Sequence, residues 1–317
     1  MEVINSRKLG NTGLVASEAS LGTAEIGIDY GFKGSSNYSR PTVQNSIRLI
    51  QSAINQGVNW LDTARAYGNS EEIIGQALRD VSPKPYVASK VIFSPEEIGT
   101  DSVSLREVVF RSIEESLRAL QIDSIALLHI HNATPEILRY VSVQDALSEA
   151  QSQGKIQHIG ATCYHEEGAL AVMVCPLFSV IQVPFNLLNQ QMSQRVFPEA
   201  AKRNIGIFVR SAFLRGVLTD QINSLPVRLA PLRHHASQIL DILGSEVSGL
   251  AEAAVRFCLS FPEISSVLMG LKNEVELQNN LSSFAKGALP EDLISKLKAL
   301  LQPDPTLADP LYWEGLI

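Results

Sequence analysis

Four side chains at the ends of apolar runs could do proton chemistry together. Asp62 and, five residues later, Tyr67 follow "VNWL"; Lys90 stands near the end of "YVASKV"; His131 ends "SIALLHIH". A phenol with an ordinary pKa of about 10 is a poor acid at neutral pH. A neighbouring ammonium favours its phenolate, and a carboxylate beyond the ammonium keeps that cation charged and oriented. A histidine can donate a hydrogen bond to a substrate oxygen. Such a set would protonate a carbonyl oxygen while a hydride reaches the carbon, or run the reverse.

For these groups to meet, the runs that carry them must be neighbouring strands. Eight short runs rich in Val and Ile are the strand candidates: 19–23, 58–64, 86–91, 124–131, 158–164, 180–186, 205–212 and 265–270. Near-continuous apolar runs fit strands buried on both faces, as parallel sheets require. Helical periodicity fills the gaps, at 42–56, 71–80, 102–120, 141–153, 166–175, 193–203, 246–260 and 274–284, with a tail helix near 291–301. Thr42 and Ser70 are the expected caps, Gly57 ends its helix, and Glu71 and Glu72 complement a helix dipole.

Strands alternating with helices, with no internal linker, define an α/β fold: a (β/α)8 TIM barrel formed as one domain over residues 1–317. "RKLGNTGLVAS" at 7–17 reads as an N-terminal β-hairpin turning at "NTG", a cap on the barrel floor. The segment 213–244 is long and weakly periodic, as functional lids are. Chemistry in such a barrel sits at the C-terminal strand ends. Those ends add Thr162, Cys163, Gln182 and Arg210 to the first four residues.

Composition narrows the classes. The formal charge is −7 and no like-charge run stands out, which speaks against a nucleic-acid or polybasic membrane surface. The three cysteines, Cys163, Cys175 and Cys258, are odd in number and form no CxxC, so neither a disulfide framework nor a zinc ribbon is expected. "RHH" at 233–235 lacks a third ligand at metal spacing, and no metal is expected. The polar start "MEVINSRKLG" and the lack of a long apolar stretch make the cytoplasm the expected compartment.

The chain resembles the aldo-keto reductase superfamily. The likeness runs from "RKLGNTGLVASEASLGT" through "DTARAYGNSEEIIGQAL", "LLHIHN", "GKIQHIGATCY" and "VIQVPFNLLNQ" to "RGVLT" and "SVLMGLKNEVELQNNL". It implies a barrel oxidoreductase that binds NADPH or NADH without a Rossmann domain. It also implies a catalytic tetrad of Asp62, Tyr67, Lys90 and His131, with Tyr67 as proton donor. His129, two residues before His131 and on the same face, becomes a hydrogen-bonded core residue.

The same likeness implies the cofactor contacts: Gly22, Thr23, Asp62, Gln182 and Arg210, Thr162 at the nicotinamide carboxamide, and Leu214 and Gly216 in a segment over the pyrophosphate. Gly270, Lys272, Gln278 and Asn280 follow at the adenosine end. Three positions depart from the family pattern. Thr162-Cys163 replaces Ser-Asn, Arg210 replaces a stacking tyrosine, and Glu276 replaces a basic residue. NADP is the expected cofactor, through Lys272 at the 2′-phosphate, with NAD as the alternative.

The expected partner is a small carbonyl or alcohol, with Tyr30, Arg65 and Asn132 as candidate substrate contacts. Arg65 and Arg210 together point to an anionic substrate such as a sugar acid or phosphorylated sugar. The polar loop at 25–40 is expected to shape specificity, with Tyr30, Phe32 and Trp60 as pocket aromatics. The alternatives are a cofactor-binding regulatory subunit with little turnover and a redox-neutral enzyme that retains its cofactor.

Overall fold

The computed structural model of the protein describes residues 4–316, apart from 34, 36, 37, 95, 96 and 99–101. Among the described residues are ten strands: β1 (Ser6–Lys8), β2 (Val15–Ser17), β3 (Ala19–Gly22), β4 (Trp60–Asp62), β5 (Tyr86–Val91), β6 (Ile125–Ile130), β7 (Ile156–Thr162), β8 (Val180–Pro184), β9 (Gly206–Arg210) and β10 (Ser266–Gly270). The strands β3 to β10 form a closed barrel in sequence order, with β10 pairing back onto β3. Each pairing is parallel. All eight expected strands are present, each within a few residues of the expected span.

Burial explains why these runs make strands. Every residue of β4, β6 and β8 is buried. One face meets the surrounding helices and the other the barrel interior, so alternation is absent. The helix Val43–Asn55 buries one stripe, with Leu49, Ile50 and Ala53 on it, whereas Leu250–Leu259 is buried nearly all round. Thr42 caps that helix, accepting from Asn45 N at 3.3 Å. Ser70 does not act as a cap. It is the first helical residue, and its hydroxyl turns inward to the hydroxyls of Thr63 and Thr23.

The β1–β2 hairpin closes the floor of the barrel. Its Leu9, Leu14 and Ala16 pack with Trp60, Tyr86, Ala88, Phe208 and Leu268 inside the N-terminal end. Trp60, expected in a binding pocket, is a floor residue instead, 5.0 Å from the Tyr86 ring and 5.3 Å from the Phe208 ring. Its indole N–H donates to Val15 O. Phe32 is likewise core, stacked on Trp313 at 5.6 Å.

The segment 213–244 is more ordered than its sequence suggests, holding short 3-10 turns and a helix over Leu232–Leu243. Among the described residues no helix is long and apolar enough to cross a membrane.

Candidate active site

The C-terminal end of the barrel brings the first four residues together. Asp62 ends β4, and Lys90 is the penultimate residue of β5. Lys90 Nζ donates to Asp62 Oδ2 at 2.6 Å and to Thr63 O at 2.8 Å. Gln182 Nε2, on β8, donates to Asp62 Oδ1 at 2.7 Å. Thr23 holds the same residue from behind, its amide and hydroxyl both reaching Asp62 O at 2.9 Å. Burial pushes the Lys90 ammonium below its usual range, while the Asp62 carboxylate opposes that shift.

Tyr67 sits on the loop after β4, and two glycines fix that loop. A Cβ on Gly27 would stand 1.9 Å from Tyr67 O, and one on Gly68, at φ +57°, would stand 2.4 Å from Gly27 O. Backbone approaches this close require glycine. The tyrosine ring then lies with its centroid 4.8 Å from Lys90 Nζ and 5.6 Å from the His131 ring, edge to face at 85°.

The expected lowering of the phenol by Lys90 is not the net result. Burial, then the Asp62 charge, raise Tyr67 well above its ordinary value, with Arg210 opposing. Desolvation dominates, so the buried phenol keeps its proton.

Burial also holds the His131 imidazole neutral, down to about pH 3, with the Lys90 and Arg210 charges adding to the effect. A neutral imidazole can donate one hydrogen bond without carrying charge. His129 lies inside the barrel against Gly160, where a Cβ would stand 2.6 Å from His129 Nδ1. Neither nitrogen of His129 has a well-aligned hydrogen bond among the described residues, though the Ala161 backbone lies near enough to act on it as an acceptor. Burial first, then Lys90, keeps it uncharged.

A cavity of about 510 Å³ opens over this cluster, lined by Asp62, Tyr67, His131, Tyr30 and the expected cofactor residues Gly22, Thr23, Thr162, Gln182, Arg210, Leu214, Gly216 and Gly270. A second cavity of about 250 Å³ shares Tyr30, Gly216 and Gly270 with it and continues to Lys272 and Asn280. The two together make an elongated cleft, the shape a dinucleotide needs. Thr162 Oγ1 is shielded from solvent and without a partner among the described residues, on a residue that lines the cavity. An orphan hydroxyl there suits a ligand amide. Cys163 does not line the cavity; it belongs to the outer core, and burial pushes its thiol up to about 12.

The loop over the cleft is held in uncommon backbone. Ser211, Leu214 and Arg215 have φ of 61°, 46° and 52°, and Gly216 has 95°. Left-handed non-glycine residues cost energy and gather at functional sites.

Other expected residues are placed elsewhere. Arg65 is not among the cavity-lining residues; its guanidinium meets Glu71 at 2.6 Å and Glu115 at 3.5 Å. Asn132 does not line the cavity and bonds the Phe93 backbone. Gln278 is exposed and donates to Glu274. Of the loop at 25–40, positions 34, 36 and 37 lie outside the described residues.

The structure also picks out residues that the sequence did not single out, three of them inside the segments 25–40 and 213–244. Glu25, Tyr164, Phe213 and Arg215 line the main cavity, as do Asp309 and Glu314 of the C-terminal segment. Burial raises the Glu25 carboxyl to about 7, with Lys272 opposing. Tyr164 had a visible signal, since it directly follows the strand-end pair Thr162-Cys163. The C-terminal segment had none.

Residues 20–302 match the model of the aldo/keto reductase family, and the chain belongs to that family. Its members are oxidoreductases that use nicotinamide cofactors. The chain is 25% identical over 325 residues to L-galactose dehydrogenase of Arabidopsis thaliana, covering 98% of each chain. It is 28% identical over 218 residues to the aldo-keto reductase YhdN of Bacillus subtilis (strain 168), a match that spans 68% of this chain and 63% of that protein. Among solved structures, the holo form of aldo-keto reductase AKR11C1 from Bacillus halodurans shares the fold, with a TM-score of 0.76 at 20% identity, covering 98% of this chain and 99% of that one.

Proposed function

We propose that this protein moves a hydride between a nicotinamide cofactor and a carbonyl or alcohol substrate, with Tyr67 as the proton donor and acceptor. The observation that carries this reading is the Lys90 ammonium, buried between the Asp62 carboxylate at 2.6 Å and the Tyr67 ring at 4.8 Å. When bound, the nicotinamide supplies the hydride to the substrate carbon or takes it from there. Tyr67 gives its proton to the substrate oxygen, and the phenolate left behind is stabilised by Lys90. Asp62 keeps Lys90 charged and in place. His131, neutral and edge-on to Tyr67, orients the same oxygen with its N–H. The reverse reaction returns the proton to Tyr67.

Thr162 and Gln182 are the proposed contacts for the cofactor amide. Gln182 donates to Asp62 and so offers its carbonyl oxygen to a ligand. The loop Leu214–Gly216 covers the cleft between its two ends, and Lys272 and Asn280 line the far end.

At that far end the local charges favour NADH over the NADPH that the resemblance implies. Lys272 Nζ is engaged with Tyr30 O and Tyr38 O at 2.8 and 3.1 Å. Glu276 accepts from Lys272 N at 2.8 Å and from Asn273 Nδ2 at 3.0 Å, and so places a carboxylate at the start of the helix Glu274–Ala285. A helix N-terminus that already holds a carboxylate is a poor site for a phosphate.

Titrating the purified protein with NADH and NADPH by fluorescence, then following loss of reduced nicotinamide absorbance with a carbonyl panel, tests both statements. The expected result is tighter NADH binding and turnover of a panel member. Tighter NADPH binding would return the cofactor to the first expectation. Binding of neither by a folded sample would overturn the oxidoreductase reading.

A further inference from the structure

We propose that the substrate is an anion, a carbonyl or alcohol compound bearing a carboxylate or phosphate, and that Arg210 binds its charged group beside the reacting carbon. The inference rests on the hydride-transfer reading above, narrows its substrate, and reassigns Arg210 from the cofactor contact that the resemblance implies to the substrate. Arg210 ends β9 and lines the main cavity with Tyr67 and His131. Its guanidinium lies over the Tyr164 ring at 4.4 Å, and its one hydrogen bond among the described residues goes to Ser211 Oγ at 3.3 Å. Arg210 Nε is shielded from solvent and meets no partner there. A guanidinium carries five N–H donors, so most of this one's capacity remains for a ligand.

The other charges near the mouth are otherwise engaged. Lys90 pairs with Asp62, and Arg65 with Glu71 and Glu115. Lys272 donates to Tyr30 O and Tyr38 O, and Arg215 lies over the Tyr30 ring at 4.0 Å. The rim carboxylates Asp309 and Glu314 line the cavity, yet neither comes within ion-pair distance of Arg210 among the described residues. Asp309 accepts from Leu311 N at 3.0 Å.

A half-buried cation with no carboxylate partner is costly unless an anion completes it. The planar fork matches carboxylate and phosphate oxygens two at a time, and a ring beneath holds its plane while the edge stays open. Arg210 shares one cavity with Tyr67 and His131, which places its charge at the same mouth as the reacting groups. Arg65, the other arginine that suggested an anion from the sequence, plays no part in this.

The test compares matched pairs on the cofactor-saturated protein: butanal with succinic semialdehyde, and glyceraldehyde with glyceraldehyde 3-phosphate. Steady-state kinetics give kcat/KM for each, and calorimetric titration gives binding independently of turnover. At least one anion is expected to exceed its neutral partner on the order of 10- to 100-fold, chiefly through KM. Arg210→Gln should collapse that ratio, and Arg210→Lys should restore part of it. The pair that shows the preference tells carboxylate from phosphate. A ratio near one in both pairs, or a ratio that survives in Arg210→Gln, overturns the inference. Anion binding without turnover of any compound would uphold the Arg210 site and sink the hydride-transfer reading. If neither anion binds, the site is refuted whatever the turnover.

Discussion

Gln182 and Asp62, 120 residues apart in sequence, meet across the barrel mouth, Nε2 to Oδ1 at 2.7 Å. With Lys90 on the other oxygen, the Asp62 carboxylate has a donor on each oxygen and little freedom. The group that sets the Lys90 charge is thereby fixed from β5 and β8 at once.

Asp62→Asn keeps the shape and removes the charge. It leaves the Lys90 ammonium buried with Thr63 O and a neutral amide. A buried charge deprived of its partner costs about 3 kcal/mol or somewhat more. Urea unfolding of the variant should show a loss of that order. A loss below about 1 kcal/mol would mean that Lys90 is neutral in the folded protein.

Acid should destabilise the protein through its interior histidines. His131 stays neutral in the fold down to about 3, against an ordinary 6.5, so between those values only the unfolded chain takes the proton. Stability therefore falls as pH drops through that window. His129, also held well below its ordinary value, adds a second proton. Glu25 works the other way: its folded value of about 7 stands above the ordinary 4.5, so the fold takes that proton first and gains as pH falls between the two. Two protons against one leave a net loss near pH 5 to 6. His131→Asn should flatten the stability slope there by about 1.4 kcal/mol per pH unit. Parallel slopes for wild type and variant would contradict the assignment.

Gly27→Ala tests how Tyr67 is positioned. The added Cβ would stand 1.9 Å from Tyr67 O and 2.7 Å from Ser70 Cβ, so the loop after β4 must shift. A displacement near 1 Å at a reacting group costs on the order of 100-fold in rate. Stopped-flow measurement should find kcat reduced far more than nicotinamide binding. An unchanged kcat would mean that the loop yields without moving the phenol.

Much of the barrel was legible in the sequence because strands buried on both faces are written as unbroken apolar runs. The strand ends followed, and with them the meeting of Asp62, Lys90 and His131. Arg65 was misread because residues 63–69 form a loop with no period, so adjacency to Asp62 carries no direction. Trp60 was misread because a strand has two ends, and its position at the start of β4 assigns it to the floor. Glu25 opens the loop at 25–40 expected to shape specificity; three residues past Gly22, it could have been singled out by reading one turn beyond each strand. The fate of the Tyr67 phenol needed burial, which a list of neighbouring charges does not contain. The C-terminal residues Asp309 and Glu314 reach the mouth through tertiary packing that no local pattern records.

The central claim is that Tyr67 carries the proton. The most direct measurement is the rate of reduced-nicotinamide oxidation by Tyr67→Phe with a turned-over carbonyl substrate, set beside nucleotide affinity from fluorescence titration. Removing a positioned acid should lower the rate on the order of 100- to 10,000-fold with nucleotide affinity nearly intact. A rate close to wild type would contradict the account.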